Sequence, residues 1–131
     1  MVELKKILVV VDFTPLSIKA LEWAEYIAEK CGGEVVIFVE LEDVFSLIKA
    51  SLGFSLPVPP NLREKEIKKT EEKLKSLIKN LDNTRYIIEA EGTLEKRLPV
   101  IIEQENPDMV VIFEDIEGLV KKIDKQTLII K

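Results

Sequence analysis

Residues 7–40 read ILVVVDFTPLSIKALEWAEYIAEKCGGEVVIFVE, and the fold is decided there. Ile7–Val11 is an unbroken aliphatic run with no polar alternation, the pattern of a strand covered on both faces in a parallel sheet. Thr14 can cap a helix, and Pro15 stands at the first helical position, where a missing N–H costs nothing. Leu16, Ala20, Trp23, Ala24, Ile27 and Cys31 recur at helical spacing and form one apolar stripe. That stripe predicts a core position for Cys31 and an anchoring position between helix and sheet for Trp23. Gly32-Gly33 ends the helix. Val35–Val39 is a second buried strand, so the stretch is one β-α-β unit.

The same alternation continues outward. Tyr86–Ala90, Met109–Phe113 and Thr127–Ile130 are further strand-like runs. Asn61 with Glu64 three residues on has the form of a capping box opening a second helix, with Ile67, Leu74, Leu77, Ile78 and Leu81 on its buried face. Glu64/Lys68 and Glu71/Lys75 are i,i+4 pairs in the favourable order. A third helix lies between Thr93 and Glu105, where Pro99 either kinks it or marks a late start. Strands alternating with helices argue for an open α/β sheet, and right-handed crossovers leave few topologies. The 131 residues predict a single domain spanning 1–131. Residues 43–60, DVFSLIKASLGFSLPVPP, interrupt the alternation. They read either as an excursion that packs on its own domain or as an apolar flap over a cleft, a second subunit or a partner protein.

Composition excludes several classes. The chain is 47% hydrophobic and 33% charged, which rules out disorder. It has no histidine, so His-dependent nucleophiles and most zinc chemistry are absent. A single cysteine forbids an intramolecular disulfide. A net charge of −5 argues against a nucleic-acid partner. No stretch reaches the ~18–20 apolar residues of a membrane span, and MVELKK leads straight into a strand without a signal-peptide core. The expectation is a soluble, cytoplasmic protein with no nucleic-acid or membrane partner. Lysine and glutamate far outnumber glutamine and asparagine, a bias of proteins that work hot.

The opening stretch resembles the start of a universal stress protein domain. Asp12, Thr14, Ser17, Ala20, Leu21 and Ala24 sit where that family's strand, turn and A-L-x-x-A helix place them. Gly92, then Asp108 sixteen positions on, then MVVIF is similar to the family's G…D-L-I-V-M-G unit, and TLIIK resembles its last strand. The resemblance implies a Rossmann-like, adenine nucleotide alpha hydrolase-like fold of three layers, with an open parallel five-stranded sheet in order 3-2-1-4-5. Ligands then bind where the strand order reverses, between the first and fourth strands. Asp12, Phe13, Thr14, Phe113 and Glu114 would flank that crevice, with Val39 beside an adenine. The resemblance also implies a homodimer formed through the edge strand Thr127, Leu128, Ile129 and Ile130.

One departure matters. The family's ATP-binding branch carries G-x-x-G, a spacer of about nine residues and G-[S/T] after the fourth strand, which brings backbone N–H groups onto phosphate. Here the chain reads EDIEGLVKKIDKQTLIIK after Phe113, with a single glycine, Gly118. Glu114, Asp115 and Glu117 stand where the phosphates should lie. Like charges at about 4 Å cost roughly 4 kcal/mol at an effective dielectric of 20, and Lys121 and Lys122 offset only part of it. The reading is a stress-response or regulatory protein without catalytic residues, resident cofactor or metal. Two alternatives stay open. One is a domain that holds ATP or AMP through Mg²⁺ on Asp12, with or without slow hydrolysis. The other is an interaction module that docks through residues 43–60. Asp12 itself is either the cap of its own turn or a ligand or metal contact. A receiver domain is disfavoured: Asp12 is followed by Phe13 rather than a second acid, and the third strand supplies Glu89 and Glu91 but no aspartate.

Overall fold

A computed structural model describes residues 2–41 and 62–131 of the chain. The 43–60 segment and the Asn61 cap lie outside the described residues. Five strands form one sheet: β1 (Lys6–Val10), β2 (Glu34–Glu40), β3 (Thr84–Glu89), β4 (Met109–Phe113) and β5 (Gln126–Ile130). All four pairings are parallel and the order is β3-β2-β1-β4-β5, as the family resemblance implies. The three central strands are sealed on both faces. Ile7–Val11, Val35–Val39 and Val110–Phe113 are each 1% exposed or less, which explains why their sequences do not alternate.

Helix α1 (Pro15–Cys31) follows β1, α2 (Leu62–Leu77) precedes β3, and α3 (Leu94–Glu105) joins β3 to β4. Right-handed crossovers put α1 and α2 on one face and α3 on the other. Side-chain contacts agree. Glu25 of α1 accepts a hydrogen bond from the Lys79 N–H just past α2 at 2.9 Å. On the opposite face Lys122 pairs with Glu95 of α3. Between β4 and β5 the crossover is not an α-helix but two 3-10 turns across Glu114–Lys122, broken at Ile116.

Local signals act as the chemistry requires. Thr14 accepts the Ser17 N–H as the cap of α1, Pro15 opens the helix, and Gly32 closes it in the left-handed region at φ 71°. Gly33 is held by closeness rather than by φ: a Cβ there would lie 2.6 Å from the Leu4 carbonyl oxygen. Asp108 is a staple. Its carboxylate accepts the N–H groups of Lys5 (2.8 Å) and Lys6 (3.0 Å), which fixes the start of β4 against β1. Helix α3 begins at Leu94 under a Thr93 cap and runs through Pro99, so the proline is interior and not a late start.

Three sequence expectations are corrected. Trp23 is 45% exposed, and Cys31 is exposed at the last turn of α1 rather than in the core. The buried face of α1 is Ser17, Ala20, Leu21, Ala24 and Ala28. Four of these five are small and Leu21 is the one bulky member, while Trp23 and Cys31 fall at the margin of the contact. Leu81 is 61% exposed, because α2 stops at Leu77 and Asn80 caps a separate 3-10 turn, Leu81–Asn83. Among the described residues no helix is long and apolar enough to cross a membrane.

Candidate functional site

The strand order reverses around β1, between its neighbours β2 and β4, and sheets of this kind take ligands outside the carboxyl ends of the strands at that point. The first wall is the turn Asp12-Phe13-Thr14. Its bonds close on themselves. The Asp12 Oδ1 accepts the Thr14 N–H at 3.0 Å and the Thr14 hydroxyl at 2.5 Å. The Asp12 N–H donates to the Ser17 Oγ at 3.1 Å, and that hydroxyl donates to the Thr14 carbonyl at 3.0 Å. Ser17 is fully buried beneath them. The first duty of Asp12 is therefore to shape its own turn. Its second oxygen has no partner among the described residues.

Phe13 carries the strain of this turn. Its φ is +65°, left-handed territory that costs a residue with a Cβ about 1–2 kcal/mol. The four bonds around it hold the conformation, and the half-buried ring packs against the core with the Lys73 Nζ of α2 5.4 Å from its centre. An aromatic ring thus leans from the turn toward α2.

The second wall is the end of β4. Register pairs Val9 with Val111, so continuing both strands brings Asp12 and Glu114 to one level. Phe113 and Val39 do not reach the crevice surface: they are 0% and 1% exposed and belong to the core. Glu114, Asp115 and Glu117 are exposed and occupy the first part of the 3-10 segment. Lys122 is spent on Glu95 at 2.7 Å and does not neutralise them. No backbone φ in residues 114–122 is positive; in the described chain the left-handed glycines are Gly32 and Gly92. A phosphate-cradling nest needs such a turn.

One feature of this end of the sheet escaped the sequence. Arg97, in the first turns of α3, grips Glu89 at the end of β3 with two parallel bonds of 2.9 Å each. That hydrogen-bonded pairing holds the guanidinium above its ordinary pKa, with smaller help from the charges of Glu40 and Glu91. Glu40 sits opposite Glu89 in the β2–β3 register, and Arg63 lies 3.4 Å from Glu91. Eight residues separate Glu89 from Arg97 across a strand, a turn and a helix, so no single period could reveal them. Among the described residues no three His, Cys, Asp or Glu side chains converge as a metal site.

An all-parallel open sheet with its crevice at this reversal point defines the class of doubly wound α/β domains that take ligands at their strand ends. The chain belongs to the universal stress protein family, whose pattern matches residues 3–121. It is 32% identical to a universal stress protein of Aquifex aeolicus (strain VF5) over 111 residues, 82% of each chain. Its structure is similar to that of hypothetical protein MJ0577, with a TM-score of 0.78 and 20% identity over 99% of this chain and 97% of that one. UspA from Lactobacillus plantarum superposes with a TM-score of 0.70 and 14% identity over 98% and 99% of the two chains. A universal stress protein from Archaeoglobus fulgidus, solved in complex with dAMP, gives 0.66 and 13% over all of both chains.

Proposed function

We propose that this universal stress protein is a cytoplasmic, non-enzymatic regulatory homodimer that does not bind a nucleoside triphosphate. The observation that carries the reading is the link after β4. Nine residues in 3-10 turns, three of the first four acidic, replace the glycine-rich loop of the ATP-binding branch. Backbone amides cannot approach a phosphate chain there, and the side chains repel it. The homodimer reading is supported by β5, whose sequence QTLII ends the sheet with one side open among the described residues. An apolar strand edge of this kind is satisfied by pairing with a second copy.

Asp12 favours a second reading. Its second oxygen, without a hydrogen-bond partner among the described residues, leaves the carboxylate able to hold Mg²⁺ beside a nucleotide with fewer phosphates. The dAMP bound by the A. fulgidus relative shows that a monophosphate suits that protein. Titration calorimetry with ATP, and separately AMP, each with Mg²⁺, decides between them. The first reading predicts no saturable heat with either nucleotide. Binding tighter than about 100 μM, roughly −5.5 kcal/mol, establishes the second.

A further inference from the structure

We infer that Trp23 is the anchor of the contact between two copies, standing next to its own symmetry mate over the seam between their β5 strands; this rests on the homodimer reading above. The edge alone is too small to hold a dimer. Five residues of strand make an edge about 17 Å long, and a sheet with its side chains is about 10 Å thick. That footprint, on the order of 200 Å², is well below the roughly 800 Å² per partner of a stable interface. The contact must spread onto the faces flanking β5.

Symmetry says how. Two copies of one strand edge pair antiparallel about a two-fold axis perpendicular to the sheet. Such an axis keeps each face on its own side, so α1 of one copy and α1 of the other flank the seam together. The side chains of α1 beside β5 are Lys19 and Trp23, which line an open groove with Leu128, Ile129, Ile130 and Lys131. The Lys19 Nζ donates to the Lys131 carbonyl at 3.1 Å and floors that groove. Trp23 is 45% exposed, its ring edge-to-face with the exposed Tyr26 at 6.4 Å. A tryptophan at the rim of an apolar strand edge is the residue type that carries interface energy when desolvated. The opposite face supplies Val120, 40% exposed on the 3-10 segment that packs against β5.

Trp23 is the chain's single tryptophan, so its emission reports the seam directly. Sedimentation equilibrium is measured across a dilution series for the full chain, Trp23→Ser and Ile129→Lys, and tryptophan emission is followed in the two proteins that keep Trp23. We expect the wild-type chain to dissociate on dilution with a red shift of emission, Trp23→Ser to raise the dissociation constant at least about tenfold, and Ile129→Lys to be monomeric with red-shifted emission. Circular dichroism confirms that each variant is folded. A dimer that Ile129→Lys breaks, but that Trp23→Ser leaves within twofold and dilution leaves with unmoved emission, overturns the role of Trp23 and leaves the homodimer standing. A wild-type chain that stays monomeric at every concentration overturns both, and a dimer that Ile129→Lys leaves intact overturns the β5 seam and with it the role of Trp23.

Discussion

Ser17 is the residue on which the crevice turn depends. Its buried hydroxyl takes the Asp12 N–H and gives its proton to the Thr14 carbonyl. Ser17→Ala leaves the part-buried Asp12 N–H without its partner, which costs about 1 kcal/mol; chemical denaturation will read it as a shifted midpoint at unchanged slope. Asp12→Asn keeps the acceptor oxygen and stays within about 0.5 kcal/mol of wild type, while Asp12→Ala loses the turn and costs about 1 kcal/mol. If Asp12→Asn matched Asp12→Ala, the charge rather than the acceptor would be what the turn needs. These local roles were legible in the sequence, because Asp12, Thr14, Pro15 and Ser17 fall within one turn. The left-handed Phe13 was not: nothing in its type announces a positive φ, which the surrounding bonds impose. Trp23 and Cys31 were misplaced because helical spacing of apolar residues marks a stripe wider than the face that meets the sheet, Ser17, Ala20, Leu21, Ala24 and Ala28.

Elements are joined by charge at the amino ends of the strands. Arg85 of β3 bonds Glu105 of α3 at 2.5 Å and lies 3.5 Å from Glu34 of β2. Lys6 of β1 approaches Glu34 at 3.8 Å and Glu105 at 3.6 Å. Four elements share one network, a form that gains value at high temperature. The Arg85 hydrogen bond is the main cause holding the Glu105 carboxyl below its ordinary range. A carboxylate depressed in the folded state stabilises above its unfolded pKa of about 4.3, and that contribution is lost as pH falls through the lower folded value. Arg85 is 47% exposed, so solvent screening limits the effect to about 1 kcal/mol at most. Melting curves of Arg85→Leu should therefore fall below wild type at pH 7 and converge with it as pH falls through the lowered Glu105 value; a gap unchanged at low pH would assign the loss to packing. Strands and helices were readable from period, but this network was not, since each member sits in a different element. Pro99 likewise left two readings open, which only the backbone of α3 closes: the helix starts at Leu94 and passes through it.

At the scale of the molecule, the sheet is the family's, and the proposed strand-end chemistry is what sets this chain's reading apart. Parallel direction and both-face burial followed from five aliphatic runs and the connections between them, while the strand order followed from the family resemblance. The crevice was harder to read, because Phe113 and Val39 point into the core while Glu114 and Asp115 leave it, and strand-end position alone does not separate them. A nucleoside triphosphate needs main-chain N–H groups past β4, so amide resonances of residues 114–122 test the account most directly. Titrating an isotopically labelled sample with ATP and Mg²⁺ and following those resonances should leave them in place. Saturable shifts concentrated at Glu114–Leu119 would mean that the acidic turns do grip phosphate, and the account would be wrong.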